Sequence, residues 1–292
     1  MPREAELSVN ERAFVLEALK EDVRLDGRSL DAFRDVRIAF GDEYGTADVS
    51  MGKTRALARI SASITAPNPD RKFDGIFTIT TELSPMAAPH FEIGRQTDAE
   101  AHLSLLLDRS IRRSSALSTE SLCLVAGSKV WLLVCTIHIL DHDGDLLSAA
   151  CIAAIAALSH FRIPDTSIHG GELTVYSAQE RNPIPLALLH WPFCVSFAVF
   201  EGGEKMIVDA ALREEQCSEG EVVVTANKSG EICAISKQGG VPTDALVLLG
   251  CVDTAVEKVR VLDEIVRKAL DLDATQRDVG GLMAELRAEN AR

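Results

Sequence analysis

The chain has 292 residues, of which 47% are apolar and 25% are charged, and its formal net charge is −14. This length suits two average domains or one large one, and the apolar fraction is enough for a buried core. The acidic balance excludes a generally basic nucleic-acid coat, so an anionic ligand would have to bind at a local patch.

The first half of the chain predicts strands interleaved with capped helices. Ser8-Val9-Asn10-Glu11 has the spacing of a capping box and starts a helix, and Thr97-Asp98-Ala99-Glu100 starts another. The segment 146–161 is uncharged, rich in alanine and too short to span a bilayer, which predicts a buried helix. The segment 129–140 is apolar on both faces, as expected for the centre of a sheet. The predicted strands of this half are 34–40, 46–50, 56–65, 75–83 and 129–140.

The second half follows a proline-containing stretch at 179–192 and repeats the order of strands and then a helix. Its predicted strands are 195–200, 206–209, 221–225 and 231–237, and a final helix runs from about 243 to about 270. This pattern predicts an α+β fold of two similar sheet-plus-helix halves. We expect an N-terminal helix and arm at 1–28, a first domain at 29–185 and a C-terminal domain at 186–292.

Few residues point to catalysis. The turn Asp141-His142-Asp143-Gly144-Asp145 lacks the glycine and glutamate positions of a calcium loop, and an acidic strand-to-helix turn is the better interpretation. The seven histidines are scattered, and the seven cysteines contain no Cys-x-x-Cys pair, which argues against a zinc ribbon or a disulfide framework and for a reducing compartment. We therefore predict no metal, no cofactor and no catalytic residue. The carboxylate-rich segment 209–221 could supply an acid and a base, but we favour a solvated acidic loop.

Arginines near the second capped helix leave two interpretations open. Arg109, Arg112 and Arg113 share one face of that helix, opposite its leucine stripe, and Arg95 lies one turn before it. Such a face is often only solvated. Guanidinium groups also bind phosphates in a bidentate manner, so these four arginines are candidate contacts for an RNA backbone or another polyanion.

A set of longer motifs extends over most of the chain. They include Leu25-Asp26-Gly27-Arg28, Arg34-Asp35-Val36-Arg37-Ile38, Glu82-Leu83-Ser84-Pro85-Met86, Phe91-Glu92-x-Gly94-Arg95-Gln96, Thr119-Glu120-Ser121-Leu122-Cys123 and His142-Asp143-Gly144-Asp145. Together they resemble the RNase PH family, in its non-catalytic branch found in exosome rings. The resemblance covers about residues 11–270.

The resemblance implies two sheet-and-helix halves and a six-membered ring of RNase PH-like subunits around an RNA channel. It further implies RNA-binding cap subunits, single-stranded RNA and associated hydrolytic exoribonucleases as partners, with no membrane. The implied location is the nucleus, nucleolus and cytoplasm, and the implied role is RNA processing and decay. Arg95, Arg109 and Arg112 match family positions that contact RNA or phosphate.

Departures from the family pattern bear on activity. Active members place Ser/Thr-Arg after the acidic turn to hold the attacking phosphate, whereas this chain has Leu146 and Leu147 there. Two leucines supply neither a cation nor a side-chain donor. The resemblance matches the family's D-x₅-D-like pair to Arg213 and Glu219, so that a cation replaces one carboxylate. An inert ring subunit is therefore the main hypothesis, and an active phosphate-dependent 3′–5′ exoribonuclease is the alternative. A metabolic enzyme of unrelated fold would need a pocket motif that the sequence lacks.

Overall fold

The computed structural model describes residues 7–91, 97–169, 172–177 and 180–277. Within these ranges the chain forms an α+β fold with two main sheets. The helices are α1 Val9–Lys20, α2 Asp98–Leu107, α3 Leu146–His160, α4 Leu212–Glu215 and α5 Ala245–Arg277. The strands are β1 Val36–Phe40, β2 Thr46–Met51, β3 Thr54–Thr65, β4 Ile76–Leu83, β5 Cys123–Val125, β6 Lys129–Asp141, β7 Arg162–Ile163, β8 Thr166–His169, β9 Glu172–Val175, β10 Ile184–Pro185, β11 Phe193–Phe200, β12 Lys205–Val208, β13 Gly220–Ala226 and β14 Ile232–Gln238.

The first sheet has the order β1-β2-β3-β6-β4, with β5 also paired to β6. All of its pairs are antiparallel except β4 with β6, which is parallel. Its strands alternate between buried and more exposed residues, as Ala47, Val49 and Met51 on β2 do, because one face of the sheet packs on helices. The prediction that β6 lies at the centre of the sheet is confirmed.

The second sheet has the order β12-β11-β13-β14 and is antiparallel throughout. All eight residues of β11 are buried because both faces of this strand are covered. Val15 and Leu19 of α1 pack with Ala198, Phe200 and Ile207 on one face. Helices α3 and α5 contact the sheet as well. The N-terminal helix therefore packs against the second half of the chain.

Helix α3 lies between the two sheets and joins the halves into one core. It contacts β2 and β3 of the first sheet and β11 of the second, and all but two of its residues are buried. Its alanines leave little side-chain bulk, so that sheets can approach it from two sides. The prediction of a buried helix here is confirmed.

The capping box of α1 forms as predicted, because Ser8 N donates to Glu11 Oε2 at 3.0 Å and Glu11 N donates to Ser8 Oγ at 3.3 Å. Helix α5 continues to Arg277, beyond the predicted end near residue 270. Tertiary contacts extend it: Arg277 Nη1 donates to the carbonyl of Asp42 at 2.8 Å, and Asp273 Oδ2 lies 3.1 Å from Nε2 of the buried His160. The short strand pairs β7–β10 and β8–β9 fall in stretches that the sequence predicted only as irregular.

A buried ion-pair network joins the N-terminal arm to the second half. Asp209 is fully buried, and its carboxylate accepts from Arg34 Nη2 at 2.6 Å and from Arg28 Nη1 at 2.8 Å. Arg24 is also buried and donates to Glu214 Oε2 at 2.6 Å. We call these five residues the Asp209 network.

The prediction of a solvated acidic loop at 209–221 is therefore wrong for two of its carboxylates. Asp209 and Glu214 are almost completely excluded from solvent. They can remain there as anions because arginines from the arm, far away in sequence, neutralise them and donate hydrogen bonds. Sequence spacing within the loop contains no information about these distant cations.

Replacing Asp209 with asparagine tests the importance of this network. Asparagine tolerates the left-handed backbone at this position, where φ is 50°, but it leaves buried arginines without their counter-charge. We expect the free energy of unfolding, measured by urea denaturation, to fall by about 3–5 kcal/mol. The matched control is Asp35→Asn, because the ion pair of Asp35 with Arg37 is largely exposed; its loss should cost about 0–1 kcal/mol. Equal losses in the two variants would contradict the assignment.

Candidate nucleic-acid interface

The predicted arginines lie where helix α2 ends in a wider turn. Thr97 caps α2 by accepting from Glu100 N at 3.2 Å, and the predicted apolar stripe is buried. After Leu107 the backbone forms a π-helical turn, Asp108–Arg112, in which Arg113 N donates to the carbonyl of Asp108 at 3.0 Å. Turns of this kind are rare and are often found at functional sites.

Arg109, Arg112 and Arg113 are all exposed, as the spacing predicted. Arg112 and Arg113 both donate to Asp108, and these hydrogen bonds, with that of Arg112 contributing most, lower the pKa of the Asp108 carboxyl. Arg109 has no ion-pair partner within the part of the chain that the structure describes. One turn thus presents three guanidinium groups against a single carboxylate, and we call it the arginine turn. The fourth candidate, Arg95, lies outside the described residues.

A second feature is a cleft of about 360 Å³ at the N-terminus of α3. Asp145 caps this helix, with Oδ1 accepting from Ser148 N at 3.1 Å. Leu146 and Leu147, which the resemblance matches to the family's phosphate-binding residues, line the cleft. So do Asp145, Glu215 and Glu221, whereas the described lining contains no lysine or arginine. We call this the α3 cleft.

Two carboxyl groups of the α3 cleft have raised pKa values. Burial, followed by repulsion from Asp209, raises the pKa of Asp145 to about 6. Burial, followed by repulsion from Asp145, raises the pKa of Glu221 to about 7. Both groups are costly to ionise here, because burial disfavours their charged forms.

The structure corrects the match of the family's carboxylate pair. Arg213 lies on α4, and Glu219 accepts from Gly202 N at 2.8 Å; neither belongs to the described lining of the α3 cleft. Glu215 and Glu221 line it instead, with the same five residues between them. The expectation that a cation replaces one carboxylate is therefore wrong, because the sequence match was displaced by two residues.

Side chains of the chain itself donate hydrogen bonds to the backbone carbonyls of the acidic turn before α3. Arg34 Nη1 donates to the carbonyl of Asp143 at 2.7 Å, and Thr54 Oγ1 donates to the carbonyl of Gly144 at 2.7 Å.

Among the described residues no cluster of three or more histidine, cysteine or acidic side chains could hold a metal ion. All seven cysteines are free. No helix in the described ranges is both long and apolar enough to cross a membrane.

The sequence matches two family models in succession. The 3′ exoribonuclease family, domain 1, matches residues 32–164, and the 3′ exoribonuclease family, domain 2, matches residues 190–258. The chain belongs to the RNase PH family. The exosome complex component rrp45 of Schizosaccharomyces pombe is 47% identical over 292 residues, with full coverage of both chains. The exosome complex component RRP45 of Saccharomyces cerevisiae is 43% identical, over 100% of this chain and 99% of that protein.

The fold has a close counterpart among solved structures. A chain of the Archaeoglobus fulgidus exosome with RNA bound to the active site superposes with a TM-score of 0.78 at 30% identity, covering 87% of this chain and 97% of that one. The RNase PH-like α+β fold that the motifs implied is confirmed.

The raised pKa of Glu221 predicts a specific pH dependence of stability. Glu221 is protonated in both states below its ordinary pKa of 4.5. As pH rises, the unfolded chain releases this proton at a lower pH than the folded chain does. The free energy of unfolding therefore decreases with pH until about pH 7, where the folded chain also releases the proton. Glu221→Gln cannot ionise, and its stability relative to the unmodified chain should increase between about pH 5 and about pH 8 in urea denaturation.

The exposed Glu120 provides the control for this experiment. The free energy of unfolding of Glu120→Gln should differ from that of the unmodified chain by nearly the same amount at about pH 5 and at about pH 8. A stability difference for Glu221→Gln that does not change with pH would show that Glu221 ionises normally.

Proposed function

We propose that this chain is a non-catalytic RNase PH-like subunit of an RNA exosome core ring. In this role it helps to form the ring channel and binds RNA backbone during 3′–5′ processing and decay, including that of ribosomal RNA. Its relatives in two yeasts are named exosome components, and it matches them along its whole length. The observation that carries the proposal is the separation of charge: cations lie at the arginine turn, and carboxylates lie in the α3 cleft.

The chemistry of the α3 cleft accounts for the proposed absence of catalysis. Phosphorolysis needs a bound phosphate as the attacking group, and phosphate is held in proteins by cations and by hydrogen-bond donors. Leu146 and Leu147 supply no cation and no side-chain donor, and the buried Asp145 and Glu221 oppose the binding of an anion. We therefore expect the cleft to bind inorganic phosphate, the co-substrate of the family's reaction, poorly.

One observation favours the alternative, an active phosphate-dependent 3′–5′ exoribonuclease. Glu215 and Glu221 keep the spacing of the family's carboxylate pair and line the α3 cleft. A pair of carboxylates can transfer protons, but it cannot bind the attacking phosphate. We therefore attribute the proposed lack of activity to the lack of phosphate binding, and not to a lack of acidic side chains.

The proposal includes partners and a cellular location. The ring partners are other RNase PH-like subunits, six in all with this chain, and RNA-binding subunits cap the ring. Single-stranded RNA passes to associated hydrolytic exoribonucleases, since this chain does not degrade it. Processing of ribosomal RNA and general decay place the protein in the nucleus, nucleolus and cytoplasm.

The purified chain should have no phosphorolytic activity. Single-stranded RNA incubated with the chain and inorganic phosphate should release no nucleoside diphosphates, as measured by chromatography, while an active RNase PH does so in parallel. Phosphate-dependent release that disappears in Glu221→Gln would establish the alternative.

The arginine turn should contribute to RNA binding by the reconstituted ring. Arg109→Gln combined with Arg112→Gln removes two cations and leaves the buried leucines of α2 unchanged, so assembly should be retained. The slope of log affinity against log salt should decrease in magnitude by about 1.4, which is about 0.7 for each phosphate contact on a single strand. The loss should be the same for different base compositions, because phosphate contacts carry no sequence information.

The matched control for this variant is Arg37→Gln with Arg59→Gln, which removes two exposed arginines of the first sheet. Its RNA affinity and salt slope should equal those of the unmodified ring. If both double variants behave like the unmodified ring, the arginine turn is only a solvated surface.

A further inference from the structure

The α3 cleft combines an apolar wall with a group of titratable side chains. Leucines of β4, α2, α3 and α4 form the wall, together with the ring of Phe91. The titratable side chains that line the cleft are His90, His102, His142, Asp145, Glu215 and Glu221. The described lining contains no lysine or arginine, so the chain places no permanent cation beside these acids. The proposed function assigns this cleft no ligand.

Asp145 has one carboxylate oxygen without a partner in this cleft. The residue is only 5% exposed, and its Oδ1 accepts from Ser148 N at 3.1 Å at the start of α3. Its Oδ2 is buried and has no hydrogen-bond partner within the described ranges, and the same is true of Nε2 of His102 on α2. A buried polar atom without a partner costs free energy, which a ligand with hydrogen-bond donors would recover.

The chain compensates the negative charge of these acids only in part. Burial, followed by repulsion from Asp209, raises the pKa of Asp145, and hydrogen bonds and the charge of Arg34 oppose this shift without cancelling it. Burial, followed by repulsion from Asp145, raises the pKa of Glu221. A bound cation would stabilise the charged forms of both carboxyl groups, so its binding would release protons.

The lining favours an organic cation over a metal ion. No cluster of three or more histidine, cysteine or acidic side chains in the described ranges could hold a metal ion, and leucines cover much of the cleft. An alkylammonium ion matches both features, because its charged end donates three hydrogen bonds and its carbon chain packs on apolar side chains. The ring of Phe91 can add a cation–π contact. The cleft volume of about 360 Å³ lies in the range of small-molecule sites.

We propose that the α3 cleft binds the ammonium group of a small aliphatic polyamine, with Asp145 and Glu221 as its counter-ions. The carbon chain of the ligand packs against Leu146 and the leucines of α2. This binding goes beyond the proposed function, because it concerns the cleft and not RNA at the arginine turn. The cleft that lacks side chains for binding phosphate thus receives a ligand of the opposite charge.

Isothermal titration calorimetry of the full chain with putrescine tests this proposal, and 1,4-butanediol is the uncharged probe of the same chain length. At about pH 8 putrescine should bind and butanediol should not. At about pH 5 putrescine should bind about a hundredfold more weakly, because Glu221, with a pKa of about 7, is then about 1% ionised. At about pH 7 the binding enthalpy should depend on the ionisation enthalpy of the buffer, since binding releases protons.

Two pairs of variants assign the binding to the cleft. Glu221→Gln should weaken putrescine binding by about ten- to a hundredfold and remove most of the proton release, whereas the exposed Glu120→Gln should change neither. Leu146→Lys places a tethered ammonium group in the cleft and should abolish putrescine binding. Leu146→Gln, which introduces no charge, should retain it.

Several results would overturn the proposal. Equal binding of putrescine and butanediol would make the cleft a merely apolar pocket, and proton release that persists in Glu221→Gln would assign the titration to the histidines. Tighter binding of Nα-acetyl-lysine methylamide than of putrescine would make the cleft a site for a lysine of a partner protein. Inorganic phosphate that binds in place of putrescine would contradict the proposed function as well. If neither phosphate nor putrescine binds, the proposed function remains and the polyamine site is refuted.

Discussion

The Asp209 network is the interaction on which the arrangement of the molecule depends. Arg34 donates to the buried Asp209 of the second half with both its backbone N and its side chain, and it also donates to the carbonyls of Asp143 and Gly144 in the first half. Arg24 adds bonds to the carbonyls of Val208 and Asp209. The arm, the turn before α3 and the second sheet are thus fixed by a small set of buried charges, which would be costly to leave unpaired. The same contacts hold Asp145 at the start of α3, and so they set the position of the α3 cleft.

The chain combines the RNase PH-like fold with an uneven distribution of charge. Carboxylates line the α3 cleft, and Leu146 and Leu147 stand at the positions that the resemblance matches to the family's phosphate-binding residues. Within the described ranges, three exposed arginines lie at the arginine turn, and none lines the cleft. In the proposed function, this distribution favours binding of an anionic polymer beside α2 over binding in the cleft. The proposed subunit guides RNA and does not cleave it.

Local patterns predicted most of the fold, because capping, alternation and helical spacing act over a few residues. The boundaries of α1, α3 and the long strands follow from them, as does the exposure of Arg109, Arg112 and Arg113. The patterns did not predict contacts between distant segments. The burial of Asp209 and Glu214 depends on Arg24, Arg28 and Arg34. The length of α5 depends on contacts of Arg277 with the hairpin loop after β1. The carboxylate pair was displaced by two residues for the same reason, since only the cleft itself shows that Glu215 and Glu221 face it.

A structure of the reconstituted ring with single-stranded RNA, determined by electron cryo-microscopy in phosphate buffer, tests the central claim most directly. The account predicts that phosphates of the RNA lie next to Arg109 and Arg112, while the α3 cleft contains no phosphate. An RNA 3′ end or an inorganic phosphate bound against Leu146, Leu147 and Glu221 would contradict it, because the cleft would then serve the reaction that its chemistry is argued to exclude.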